Sequence, residues 1–152
     1  MKNIQMIKSA VEIRPERIIL LSGNGQNVGK TSFACQLIEH LKKQNKKVYS
    51  IKISPHFHNE YIPHRIYSDE RFMVSMEKNP DTGKDSSRLL SAGADESFYL
   101  QVRDDSLLEA VQYSFSMIPH NIFVVIESGA LRKWIKPALF FFLMRDKNDP
   151  IK

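Results

Sequence analysis

Apolar positions along this chain follow two alternating periods, and the alternation predicts a layered α/β domain. Six apolar runs read as strands, at 17–21, 47–53, 71–76, 97–102, 121–127 and 138–144. The stretch Ile122-Phe123-Val124-Val125-Ile126 does not alternate with polar residues, the pattern of a strand covered on both faces in a parallel sheet. Between these runs the spacing turns helical. Over 29–44, Phe33, Leu37 and Leu41 recur at four-residue intervals, and further helices are predicted at 85–92 and 104–117. Asp104 is placed to cap the last of these, with Leu107, Leu108, Val111, Phe115 and Ile118 as its apolar stripe. A short helix over 131–135 is stopped by Pro137. The polar segment 54–70, with Pro55 and Pro63, breaks the alternation and reads as a loop excursion.

The strongest chemical signal is where the first strand meets the first helix. Ile18 to Leu21 run into Ser22-Gly23-Asn24-Gly25-Gln26-Asn27-Val28-Gly29-Lys30-Thr31-Ser32, and an amphipathic helix follows at once. Strand, glycine-bearing loop, Lys-Thr and helix in that order form a phosphate-binding loop. Backbone N–H groups must converge on phosphate oxygens there, and side chains at the loop glycines would obstruct them. The helix mouth adds unpaired N–H groups and the positive end of its dipole. Lys30 is expected to reach the β- and γ-phosphates of ATP or GTP, and Thr31 to offer its hydroxyl to Mg²⁺. Five residues separate Gly23 from Gly29, one more than in the commonest form of the motif, and Asn24 stands where that form has its first glycine. Asn tolerates positive φ, so such a loop can be built. A glycine-rich turn that merely joins strand to helix is the plain alternative.

Other residues are weighed against this site. Glu127 ends the most apolar strand, where an α/β sheet delivers side chains to its ligand crevice. It is a candidate catalytic acid, or a second metal-linked oxygen beside Thr31; a solvent-facing strand end is the alternative. Lys52, at the end of the second strand, is a cation where phosphates gather. Lys84, Asp85 and Arg88 open a helix; they could hold an anion or merely charge and cap that helix. His56, His58 and His64 lack the cysteine or close carboxylate that would complete a tetrahedral metal set, and read as loop histidines.

Composition narrows the classes. The chain has 152 residues, 42% of them hydrophobic and 26% charged, which suits one domain over 1–152 with an N-terminal extension at 1–15. The net charge of +5 favours anionic ligands without marking a nucleic-acid binder. Lys42, Lys43, Lys46 and Lys47 account for much of it and read as a solvated helix end. Arg132, Lys133, Trp134 and Lys136 are too short a cluster for nucleic acid. A single cysteine, Cys35, fits a reducing cytoplasm and a buried structural thiol, and no apolar run suggests a leader or a membrane span.

The spacing that ends Val28-Gly29-Lys30-Thr31 resembles the phosphate loops of dethiobiotin synthetase and the cobyrinate amidating enzymes. Asp81-Thr82-Gly83-Lys84-Asp85-Ser86-Ser87-Arg88, followed by Ser91-Ala92-Gly93-Ala94-Asp95, is similar to the Gly-Lys-Asp-Ser and Ala-Gly-Ala block of the MobB family. These are nucleotide-binding accessory proteins of molybdopterin-guanine dinucleotide biosynthesis. Lys52 with His56, and Glu127 with Gly129, resemble that family's strand ends. The resemblance implies a three-layer P-loop NTPase fold with a mostly parallel sheet and helices on both faces. It also implies a homodimer, GTP binding, and a nucleotidyltransferase partner that attaches GMP to molybdopterin. Slow hydrolysis is expected separately, because the loop itself supplies no obvious base or arginine finger. Two other readings stay open: a dethiobiotin-synthetase-like enzyme moving the γ-phosphate to a carboxylate or carbamate, and a non-catalytic nucleotide-binding module. The choice between ATP and GTP is also open.

Overall fold

The computed structural model describes residues 12–146. Most of the N-terminal extension expected over 1–15 lies outside the described residues. The elements in chain order are β1 (Ile18–Gly23), α1 (Lys30–Lys43), β2 (Val48–Ser54), β3 (Arg65–Ser68) and β4 (Phe72–Glu77). They continue with α2 (Asp85–Ser91), β5 (Glu96–Val102), α3 (Leu107–Phe115), β6 (Phe123–Glu127) and β7 (Leu139–Leu143).

The seven strands form one sheet in the order β3-β4-β5-β2-β6-β1-β7. β5, β2, β6, β1 and β7 are parallel, and β3 and β4 are antiparallel at one edge. The fold is thus α/β with a mostly parallel sheet. Side chains of a strand alternate between its two faces, and the core divides accordingly. Ile18 and Leu20 of β1 join one apolar cluster with Leu107, Ala110, Val111 and Phe115 of α3. Ile19 and Leu21 join the other, with Ala34 and Ile38 of α1 and Leu89 of α2. Phe33, Leu37 and Leu41, the predicted stripe of the first helix, are only partly buried and flank this second cluster.

Four expectations are corrected. Within 54–70 the chain is not loop throughout, because Arg65–Ser68 pairs with β4. The hairpin turn between them is held by Asp69, whose Oδ1 accepts the amides of Arg71 (2.7 Å) and Phe72 (3.0 Å). The predicted helix at 104–117 begins with a 3-10 turn, Asp104–Ser106, and Asp104 makes no cap. Its carboxylate instead accepts from Lys133 Nζ at 3.4 Å. The short helix expected at 131–135 is a 3-10 turn over Leu131–Lys133. Lys42 is not simply solvated either: it pairs with Asp95 at 2.8 Å, and Asp95 also accepts the Val48 amide.

The sheet face under α1 and α2 changes character along its rows. Register aligns Ile19, Val125, Ser50, Ser97 and Glu77 in one row, and Leu21, Glu127, Lys52, Tyr99 and Ser75 in the next. The first row is apolar under α1 at Ile19 and Val125 and polar towards α2, whereas the second turns polar already at Glu127, which meets Thr31 of α1. Ser50 Oγ donates to Ser97 Oγ (2.9 Å), Ser97 Oγ to the Ser86 carbonyl (2.8 Å), and Ser86 Oγ to Glu77 Oε2 (2.9 Å). Ser87, fully buried, donates to the Asn79 carbonyl at 2.6 Å and accepts the Thr82 amide at 3.0 Å. This hydroxyl seam, rather than apolar packing alone, fixes the start of α2 on the sheet. Ser87→Ala would take this partner from the part-buried Asn79 carbonyl and Thr82 amide, at a cost of about 0.5–1.5 kcal/mol. Urea unfolding checks it; a loss below about 0.5 kcal/mol would show that Ser87 does not tie the 79–82 loop to α2.

Candidate functional site

The parallel strands β1, β6 and β2 all end at the same edge of the sheet, where a cleft of about 1120 Å³ opens. The loop between β1 and α1 forms one end. Asn27 (φ 58°) and Gly29 (φ 93°) adopt left-handed backbone, and Gly29 is the N-cap of α1. A non-glycine residue would be strained at Gly29, which delivers Lys30 and Thr31 as the first residues of the helix. The Lys30 stem turns back over the end of β1, its Cδ 3.3 Å from where a Cβ on Gly23 would stand. Gly23 has no such room: that Cβ would also meet Val28 Cγ2 at 2.8 Å and the Leu143 carbonyl at 2.9 Å.

The loop residues divide into two sets. Gln26, Asn27, Gly29, Lys30, Thr31 and Ser32 line the cleft. Gly23 and Asn24 are instead engaged with β7. Gly23 is the last residue of β1, in register with Leu143. The Asn24 amide donates to the Leu143 carbonyl at 3.2 Å, and Asn24 Oδ1 accepts the Arg145 amide at 3.2 Å. The structure therefore places these two in the loop's outer support rather than on the cleft wall. Gly25 and Val28 are likewise not among the lining residues, and a Cβ at Gly25 would meet nothing within 4 Å.

Glu127 is brought to this loop by register. It lies beside Leu21 on one side and Lys52 on the other. Its side chain is 2% exposed, and Oε2 accepts both the Thr31 hydroxyl (3.1 Å) and Lys52 Nζ (2.8 Å). Its other oxygen, Oε1, is buried with no hydrogen-bond partner. Lys52 also reaches Asp85 at 2.9 Å. Arg88 lies 3.8 Å from Asp85 and donates to Ser32 Oγ at 2.8 Å, tying α2 to the first turn of α1. Lys84 faces Glu60 at 3.5 Å from the opposite wall. His56, His58 and His64 line that wall, and Tyr99 and Ser75 belong to the cleft lining from the sheet. Ser128, between Glu127 and Gly129, accepts the Leu131 amide at 3.1 Å and so turns the chain away after β6. Lys52, Asp85 and Arg88 stand out in the sequence by charge and position, whereas the buried hydroxyl network of Ser50, Ser97, Ser86 and Ser87 beneath α2 does not. Ser-Ser after Asp85, with Ser50 on β2 and Ser97 on β5 in register beneath it, is the available signal.

Electrostatics bind the network together. Burial pulls the Lys52 ammonium down, but the Glu127 and Asp85 carboxylates outweigh it and hold its pKa above the ordinary lysine value. Burial likewise pushes Asp85 up, while Lys52, the Thr31 hydroxyl and Arg88 outweigh it and hold that carboxyl below its usual range. The contribution of Asp85 to stability is therefore complete above the ordinary carboxylate pKa of about 4 and lost as pH falls through its folded value. That of Lys52 is complete below about 10.4 and lost as pH rises through its folded value. Asp85→Asn should accordingly differ from the wild type by a constant unfolding free energy across neutral pH, with the difference shrinking below about pH 4. A urea series from pH 2 to pH 8 reads this, and a pH-independent difference would contradict it.

The Thr31 hydroxyl and the unpartnered Glu127 Oε1 are hard oxygens, suited to a Mg²⁺ ion that keeps waters and phosphate oxygens as its remaining ligands. Among the described residues no group of three or more His, Cys, Asp or Glu could hold a metal on its own. Also among the described residues, no helix is long and apolar enough to cross a membrane. Neither a family model nor a curated protein matches this chain.

Proposed function

We propose that this chain is a P-loop protein that binds ATP or GTP with Mg²⁺ and hydrolyses it slowly. One observation carries the reading: Lys30, Thr31, Glu127 and Lys52 converge beside a loop with left-handed Gly29, at the carboxyl ends of adjacent parallel strands. Gln26, Asn27 and Gly29 offer backbone to the phosphates, and Lys30 supplies a point charge to their far end. Thr31 and Glu127 would hold Mg²⁺. Bound there, the metal supplies charge neutralisation on the phosphoryl group being transferred. Glu127 would orient the attacking oxygen, and Arg88 would steady phosphate from α2. Slow turnover follows from the absence of an arginine finger within the loop itself.

The accessory role, in the manner of the MobB family, rests on the block Asp81–Arg88. It is supported by where that block lies: Lys84, Asp85 and Arg88 all line the cleft, and Asp85 grips Lys52. In that role the protein passes nucleotide or conformational information to a nucleotidyltransferase partner in the cytoplasm. The homodimer implied by the same resemblance finds support at β7, an edge strand whose Leu139, Phe140 and Phe142 are exposed, with Met144 just beyond it and Trp134 exposed as well. Calorimetric titration with Mg²⁺-ATP and Mg²⁺-GTP tests the core of the proposal, and binding of neither would end it. Phosphate release measured alone and with carboxylate acceptors separates the accessory role from the second reading. ADP release that depends on such an acceptor would favour a dethiobiotin-synthetase-like enzyme.

A further inference from the structure

The groups proposed to receive the metal are already satisfied in part by one of the chain's own cations. Lys52 Nζ lies 2.8 Å from Glu127 Oε2 and 2.9 Å from Asp85 Oδ2, and the Thr31 hydroxyl donates to the same Glu127 oxygen. A carboxylate as buried as Glu127 requires a compensating charge, and Lys52 is the cation paired with it. Yet Glu127 Oε1, buried and without a partner, leaves that carboxylate with unused capacity for a cation. A divalent ion entering while Lys52 stays in place would meet a fixed positive charge within a few ångströms. Lys52 has a flexible four-carbon stem and lines the cleft, so it can turn towards an incoming anion while its backbone stays in register with Glu127.

We infer that Lys52 is an internal counter-cation, neutralising Glu127 and Asp85 and so keeping a metal from Glu127 and Thr31 until the terminal phosphate of a nucleoside triphosphate draws it away. The inference rests on the nucleotide reading above. Lys52 then excludes free divalent ions from the empty cleft and makes metal entry conditional on a polyphosphate long enough to take over its ammonium. Specificity for triphosphate over diphosphate follows, because only the triphosphate carries the group that Lys52 moves to meet.

Mn²⁺ binding without nucleotide, followed by the electron paramagnetic resonance signal of free Mn²⁺, tests this directly. Lys52→Met should bind Mn²⁺ at least about tenfold more tightly than the wild type, and Lys52→Arg should remain close to the wild type. In calorimetry with Mg²⁺, Lys52→Met should also lose most of the wild-type preference for triphosphate over diphosphate. Should Lys52→Met fail to fold, Lys52→Met/Asp85→Asn removes a carboxylate together with the ammonium. That double variant should bind Mn²⁺ at least about threefold more tightly than Asp85→Asn alone. Unchanged Mn²⁺ affinity on loss of Lys52, with Mg²⁺-ADP still bound, overturns the counter-cation and leaves the nucleotide reading standing. A wild-type protein that binds no nucleotide refutes that reading instead, and the Mn²⁺ comparison still decides whether Lys52 guards the carboxylates.

Discussion

Lys30→Ala is expected to weaken binding of both Mg²⁺-ATP and Mg²⁺-GTP by at least about 2 kcal/mol, or roughly thirtyfold. The size follows from removing a charge-assisted contact to phosphate in a partly desolvated cleft. The same change should leave the fold intact. Lys30 is the first residue of α1, where a cation opposes the helix dipole, and alanine is the strongest helix former. Unfolding free energy should therefore stay level or rise by a few tenths of a kcal/mol while affinity falls. That separation of the two readouts is the distinctive part of the prediction. Calorimetry and urea unfolding on one preparation measure both. Equal nucleotide affinity in the two proteins would remove Lys30, and with it the loop, from any phosphate site.

The largest loss of stability is expected at Phe98→Ala, about 3–5 kcal/mol. Phe98 is fully buried on β5, on the sheet face that α3 covers, with the Tyr49 ring 6.2 Å away between centroids. It sits in register with Ile51 on β2 and Met76 on β4, so the void would open at the junction of the parallel and antiparallel parts of the sheet. A domain of this size loses roughly 2–4 °C of Tm per kcal/mol, so the midpoint should fall by roughly 6–20 °C. Phe98 points away from the face that carries Lys52 and Tyr99, so ligand affinity at low temperature should survive. A fall of under about 1 kcal/mol would mean that the two parts of the sheet do not share one packed core.

The parallel part of the fold was legible because it is written in long apolar runs. β6 is covered on both faces, and β1 leads directly into a loop with its own chemical signature. The antiparallel edge was not. Arg65–Ser68 is largely exposed, with only Tyr67 partly covered, so there was little for burial periodicity to report. Its position is set by a turn at Asp69 and by backbone pairing, both of which leave faint marks in composition. The site divides in the same way. Charged groups at strand ends drew notice by type and position: Lys52, Glu127, Asp85 and Arg88. The hydroxyl network that holds α2 is not legible in the same way, because a buried serine reads like a surface one until its partner strand is known. The loop itself shows a further limit. Spacing assigned all of 23–32 to phosphate, yet β7 takes up Gly23 and Asn24, a contact that no local pattern could foretell.

That last contact fixes an order of events during synthesis. The residues that brace the loop's first turn lie as much as 121 positions downstream of it, on and just beyond β7. A ribosome-bound chain can therefore have its central strands paired and its lysine in place while the first turn of the loop still lacks its brace. Only when Leu143 and Arg145 have emerged can the turn close, so completion of the loop waits on the last strand of the sheet rather than on the loop's own sequence.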